Sequence, residues 1–364
     1  MSDHDVLGEL ACYLLAGAPD DPQVLFDDVA EAERIGLGTG FISERFNVKE
    51  AATLSGAVAA SSTDLGIATG VTNHNTRHLM VTASFATTMD RLTGGRFALG
   101  LGRGVGVLFD AFGIPHITTA QLEDVATLLR RVWSGELVLG HDGPAGRYPI
   151  LHMDWGRTEP IPLLLSAFGP NSLALAGRVF DGVILHTYFS DETTARCVEI
   201  VRRAAEEAGR DPDAIRIWSC FATVGDHLPE ALRLKKTVGR LATYLQGYGD
   251  LLVETNRWDP AALAAIRADP VFSSATGALD QVGTTEQLEH LAEVIPPEWL
   301  AAAATGTPDQ CVDAVLGQLD LGCNGVILHG ASPAELAPVV QAYRPRRPAG
   351  LERTPVNPGR PMSS

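Results

Sequence analysis

The chain has 364 residues, with 28 Lys and Arg against 44 Asp and Glu for a formal net charge of −16. With 45 % hydrophobic residues it has the material for one large globular domain or two small ones, and its acidity leaves no global basic field, which excludes nucleic-acid or anionic-membrane binding as the main activity. No apolar run reaches the ~20 residues of a membrane span, and the acidic start MSDHDVLGELACY lacks the basic-then-apolar order of a signal peptide, so a cytoplasmic location is expected.

Short runs rich in Val, Ile, Leu and Phe alternate with amphipathic stretches, the pattern of parallel strands joined by helices. The first strand is Leu7 to Ala16, and the first helix runs from Pro22 to Ile35 with Gly36 closing it. A second strand (Thr39 to Glu44) and helix (Val48 to Ala60) follow, then a third strand (Leu65 to Thr72) and helix (His78 to Leu92). Arg96 to Gly104 and Thr118 to Trp133 make the fourth unit, and Glu136 to Met153 reads as a hairpin with Asp142-Gly143-Pro144 as turn chemistry. Strands five and six are Ile161 to Ser166 and Gly182 to Tyr188, with helices Asn171 to Val179 and Asp191 to Ala208. Strand seven is Ile215 to Val224; strand eight, Gly325 to His329, is deferred and precedes a helix from Pro333 to Tyr343.

Eight such units predict a closed (β/α)8 TIM barrel, which needs about 250 residues. The surplus lies mostly between strands seven and eight, where extra helices are expected over the barrel mouth. Residues 1–344 then form one domain and 345–364 a Pro-rich extended tail. An open doubly wound sheet is the rival, but no early G-x-G-x-x-G joins the first strand to the first helix. The five cysteines have no C-x-x-C pair and read as buried reduced thiols, with no metal site expected.

In a barrel, chemistry is built from the C-terminal strand ends. Those ends carry Glu44-Arg45, Gly70 to His74, Gly102-Arg103-Gly104, Gly169-Pro170-Asn171 and His186-Thr187. Glu44 is either half of a rim ion pair with Arg45 or a proton-handling group, with Arg45 pointing to the opposite face; His74 lies on a loop where a ligand can reach it. The turn at Gly169 opens a helix whose free N–H groups suit a phosphate, although on spacing alone an ordinary cap is the stronger reading. Phe109, Phe112, Trp155, Tyr244, Tyr248 and Trp258 are candidates for a hydrophobic substrate wall or for core.

The stretch LGIATGVTNHNTRHLMVTASFATTMDRLTGGRFALGLGRG, Leu65 to Gly104, resembles the luciferase-like monooxygenase family and, within it, the oxidoreductases that use the deazaflavin coenzyme F420. Ser166 to Leu185 and Ala301 to Pro333 are similar to later segments of that family. The resemblance implies a cofactor ring over strand three, backed by a non-prolyl cis peptide at Gly70-Val71, and hydride exchange with a small-molecule substrate. It places Thr72 and Asn73 against the ring or its side chain, Gly102, Arg103 and Gly104 along that chain, and Gly169, Pro170, Asn171, His186 and Thr187 around the phosphate. Catalytic candidates are Glu44 and His74. Where many relatives have an acidic residue followed by His after strand two, this chain has Glu44-Arg45. An FMN-dependent monooxygenase and a non-catalytic flavin-binding barrel are the alternatives, and a homodimer is the expected assembly.

Overall fold

The computed structural model describes residues 6–17, 20–45, 47–154 and 160–362. Its strands are β1 Leu7–Tyr13, β2 Leu37–Ile42, β3 Gly66–Thr69, β4 Phe97–Leu101, β5 Val138–Gly143, β6 Gly146–Leu151, β7 Leu163–Ser166, β8 Gly182–Ile184, β9 Arg216–Gly225, β10 Ala304–Gly306 and β11 Gly325–His329. Strands β1, β2, β3, β4, β7, β8, β9 and β11 pair in parallel in that order, and β11 returns to β1. The (β/α)8 barrel is therefore closed. β5 and β6 form the separate antiparallel hairpin, with its turn one residue later than the sequence chemistry pointed.

The barrel strands are buried from end to end, as their near-continuous apolar sequences require of a sheet covered on both faces. Inside, Phe41, Trp218, Leu164, Ile184 and Ile327 fill the bore; outside, Leu and Val residues of the helices pack against the sheet. The helix Thr119–Trp133 shows why such segments fold locally: Thr118 and Gln121 form a capping box, and Leu122, Val125, Leu129 and Val132 bury one face. All five cysteines are free and buried.

The insertion between β9 and β11 holds the expected helices, Arg240–Asn256 being the longest. It also contributes β10, which the sequence analysis did not find and which adds to the outer end of β9. Another unanticipated helix, Gly106–Phe112, follows β4.

The Pro-rich C-terminal segment is extended, but it is not free. It runs beneath the barrel, where Trp218 Nε1 donates to the Pro358 carbonyl at 2.8 Å and Asn357 Nδ2 donates to the carbonyls of Gly95 and Phe97 at 2.7 and 2.9 Å. Arg347 pairs with the fully buried Glu9 at 2.7 Å. Gly66 opens β3 without a side chain because a Cβ there would lie 1.8 Å from the Val356 carbonyl oxygen.

Candidate active site

The upper ends of β2, β3 and β4 face the insertion across a cleft of about 420 Å³. Ser43 to Arg45, Gly70 to Asn73 and Gly104-Val105 supply one side, and Arg240, Tyr244, Tyr248 and Asp280 the other. The Gly70-Val71 peptide is cis. Around it Gly70 N donates to the Ile42 carbonyl at 2.7 Å and Glu44 N to the Val71 carbonyl at 3.1 Å, so the bulge after β3 is tied to the end of β2. On the other flank Gly102 N donates to the Thr72 carbonyl at 2.8 Å, and a Cβ on Gly102 would meet Val71 Cγ2 at 2.4 Å. Glycine at that position lets β4 close against the bulge.

Glu44 does line the cleft, and it has a partner the sequence did not announce. Its carboxylate, 2 % exposed, takes both terminal nitrogens of Arg77 and the Thr72 hydroxyl; Arg77 also donates to Thr72 Oγ1 at 2.8 Å and bridges to Glu50. The cation paired with Glu44 is thus Arg77 and not the Arg45 that the sequence offered. Arg45, expected on the opposite face, lines the same cleft, because the strand ends at Ile42 and the alternation of faces ends with it.

His74 is buried, lies outside the cleft lining, and neither ring nitrogen has a hydrogen-bond partner among the described residues. Burial pushes its pKa down to about 4. Asn73 lines the cleft and accepts from Thr76 N at 3.0 Å.

Across the cleft, the helix Arg240–Asn256 puts Arg240, Tyr244 and Tyr248 on one face, four residues apart. Arg240 pairs with Asp280 at 2.8 Å and lies 5.9 Å over the Tyr244 ring, which stacks on Tyr248 at 5.5 Å. Behind them sit two histidines from strand ends: His186 Nε2 meets Tyr248 Oη at 2.9 Å, and His329 Nε2 meets Tyr244 Oη at 3.4 Å. Burial pushes His186 down to about 4 and Tyr244 up to about 12. Nearby Lys49 is pushed down to about 8, first by burial and then by the charges of Arg45 and Arg240.

The remaining candidates fall elsewhere. Gly169 and Pro170 line a second cleft of about 290 Å³ with Arg196, Glu254 and Arg257, and Asn171 is exposed at the start of the helix. Phe168 on that cleft and Tyr248 on the first are 5.8 Å apart, edge to face, and form the partition between them. Thr187 is buried against Cys220, with Oγ1 3.2 Å from its sulfur. Arg103 turns away to the Ile117 carbonyl and Thr119 hydroxyl, at 3.2 and 2.5 Å. Phe109, Tyr244 and Tyr248 reach the first cleft; Trp258 stacks on Trp299 at 4.5 Å; Phe112 is exposed; Trp155 lies outside the described residues. Arg77, Arg240 and Asp280 were missed. The spacing Arg240, Tyr244, Tyr248 was the available signal for the first wall; nothing local marks Arg77.

Residues 7–325 match the model of a family described as luciferase-like monooxygenase. The chain is 28 % identical over 316 residues to 5,10-methylenetetrahydromethanopterin reductase of Methanolobus tindarius, covering 85 % of this chain and 91 % of that one. It is 25 % identical over 332 residues to F420-dependent glucose-6-phosphate dehydrogenase of Amycolatopsis mediterranei, covering 85 % and 89 %. Among solved structures it superposes on the coenzyme F420 dependent tetrahydromethanopterin reductase of Methanopyrus kandleri with a TM-score of 0.77 at 20 % identity, over 93 % of this chain and 99 % of that one.

Proposed function

The chain belongs to the luciferase-like monooxygenase family, and from that premise we propose that it is an F420-dependent oxidoreductase exchanging a hydride with a small organic substrate. The observation that carries this reading is the first cleft itself, with the bulge at Gly70 to Asn73 on one side and the stacked rings of Tyr244 and Tyr248 on the other. That is a slot for a planar heteroaromatic ring, of a volume ordinary for a cofactor pocket. The F420-dependent relatives support the choice of coenzyme.

When bound, the deazaflavin supplies two-electron hydride chemistry. The chain's own residues bear the ring on Gly70, Val71, Thr72 and Asn73, and the Tyr244–Tyr248 wall excludes water. Glu44, fixed by Arg77 and Thr72, is an ionic hydrogen-bond acceptor at the slot's edge. Gly102 and Gly104 let β4 approach the slot, and the helix start at Gly169 to Asn171, with Arg257 on the same cleft, suits the anionic tail beyond the Phe168–Tyr248 partition. His186 and Thr187 support that partition from below. A homodimer in the cytoplasm belongs to the same proposal, and light scattering on the purified protein tests the assembly.

Titration of the purified protein with F420 and with FMN tests the coenzyme. The expected outcome is F420 binding tighter by at least roughly tenfold, about 1.4 kcal/mol. Tighter FMN binding selects the monooxygenase reading instead; tight binding of either with no turnover of any substrate leaves a flavin-sequestering barrel.

A further inference from the structure

We infer that Tyr248 exchanges a proton with an oxygen on the substrate's reacting carbon, and that His186 positions that phenol and relays its proton; this rests on the hydride-transfer reading above.

Few groups on the first cleft have a proton to move. Glu44 is committed to Arg77 and Thr72, and Asp280 to Arg240 at 2.8 Å and to the Thr243 hydroxyl at 2.9 Å. Guanidinium groups do not give up protons in proteins. Two phenols remain. Tyr244 meets His329 only at 3.4 Å, whereas Tyr248 meets His186 at 2.9 Å.

The direction of that second bond follows from its far side. His186 Nδ1 lies 2.8 Å from the Thr187 carbonyl, which can only accept, so Nδ1 carries the hydrogen. The buried ring is neutral, which leaves Nε2 bare and makes Tyr248 the donor. With the O–H donated to His186, Tyr248 Oη accepts from no described residue, and Tyr248 lines the cleft.

Both members of the pair are held in place. Two residues after His186, Tyr188 takes a left-handed φ of 63°, its hydroxyl donates to the Thr237 carbonyl at 2.9 Å, and Asn256 Nδ2 donates to its carbonyl at 3.0 Å. Phe168 packs on the His186 ring at 4.5 Å. The helix departs from helical geometry at Tyr248 itself, between Gly247 and Gly249.

The step balances as follows. In the oxidative direction the substrate's C–H bond breaks and its electron pair leaves with the hydrogen to the coenzyme as two-electron acceptor. The C=O bond forms as the O–H bond breaks; that proton goes to Tyr248 Oη while the phenol's own proton passes to His186 Nε2. After product release the proton returns through Tyr248 to water. Reduction of a ketone runs the same path backwards. A secondary alcohol and a ketone are therefore suitable probes, since each carries an oxygen on the reacting carbon with which the phenol can exchange a proton.

The test uses the full-length protein with F420, with cyclohexanol and propan-2-ol as oxidative probes and cyclohexanone as the reductive probe. Tyr248→Phe and His186→Phe keep the packing and remove the hydroxyl and the acceptor. Tyr248→Phe is expected to lower kcat about 10²- to 10⁴-fold, with KM and coenzyme affinity nearly unchanged and the solvent deuterium isotope effect on kcat abolished. In ¹⁵N spectra His186 Nε2 is expected to be an unprotonated, hydrogen-bonded nitrogen whose resonance moves in Tyr248→Phe. Unchanged kcat in Tyr248→Phe, or a raised KM alone, overturns the inference. Wild type that binds F420 and turns over none of the probes overturns it while the coenzyme reading stands; wild type that fails to bind F420 overturns both.

Discussion

The two ends of the barrel are closed by opposite means. Below, the C-terminal segment presses its backbone into strand starts that lack side chains, at Gly8 and Gly66, and its carbonyls and Arg347 pair the buried Trp218, Arg216 and Glu9. Above, the strands end in an open cleft whose Glu44 and Asp280 are tied to Arg77 and Arg240, and around it, among the described residues, both ring nitrogens of His74 and Nδ1 of His329 have no partner. The lower end pairs its buried charges and most of its polar groups, Arg216 Nε and the Thr354 hydroxyl excepted, and holds the fold. The upper end leaves groups underused, which is what a site for chemistry requires.

The comparison breaks most visibly if the lower seal is dispensable. Deleting residues 345–364 removes the cation from Glu9, a loss of about 3–5 kcal/mol for a broken buried pair. It also strips acceptors from Trp218 and Arg216, each about 1–3 kcal/mol. The sum is comparable to a typical domain's whole stability of about 5–15 kcal/mol. The expected outcome is unfolded or insoluble protein; a truncated chain melting within a few degrees of full length would mean that the segment seals nothing.

The upper end's ionic network gives the next largest effect. Arg77→Met leaves the Glu44 carboxylate, 2 % exposed, with only Thr72 among the described residues, and a loss of about 3–5 kcal/mol in urea denaturation is expected. Adding Glu44→Leu should recover most of it, because replacing a buried pair by apolar groups is often neutral. A single-variant loss under about 1 kcal/mol would place the pair in water instead.

How much of this was legible in the sequence follows from what kind of signal each part carries. The barrel strands announce themselves because a strand buried on both faces must be continuously apolar, and all eight were found within a few residues of their ends. The slot between β2, β3 and β4 was legible through the glycines and the family resemblance at Leu65 to Gly104. Arg77 was not, since its partners Glu44 and Glu50 are 33 and 27 residues away and only the closed barrel brings them together. The docking of the C-terminal segment was not legible for a related reason. Its Pro-rich, polar composition reads as an extended tail, but it docks through the backbone carbonyls of Pro358 and Arg360 as well as through Asn357 and Arg347, and composition does not report such contacts.

Acid should sharpen the same contrast at the upper end. His74 and His186 are held near pKa 4 by burial, against an ordinary value of 6.5. Both are therefore neutral in the folded protein, while the unfolded chain takes up protons as the pH falls through 6.5, so their stability contribution is full above that value and is lost as pH falls towards 4. Between pH 7 and pH 5 each should cost about 2 kcal/mol in urea denaturation. His74→Leu removes one share at little expense, because its ring nitrogens have no partners among the described residues to strand. An unchanged pH slope in that variant would show that His74 titrates in water.

The smallest effects separate the two ends most cleanly, because one methyl group is added at each. In Gly66→Ala the new Cβ falls 1.8 Å from the Val356 carbonyl oxygen, a backbone atom that yields only if the C-terminal segment lifts. A loss of about 1–3 kcal/mol is expected for that overpacking, and F420 affinity should not change, since the lower end is remote from the cleft. In Gly169→Ala the new Cβ meets nothing within 4 Å, at a φ of −96° that alanine adopts freely. Reduced freedom of the unfolded chain offsets the weaker helix cap, so stability should stay within about 0.5 kcal/mol. The methyl nevertheless projects at the helix start where the coenzyme's anionic tail is proposed to lie, and F420 affinity should fall by roughly tenfold. Stability and affinity then move independently, one at each end. If Gly169→Ala changed stability and left affinity alone, the helix start would be an ordinary cap and the tail would have to be sought on the other side of the Phe168–Tyr248 partition.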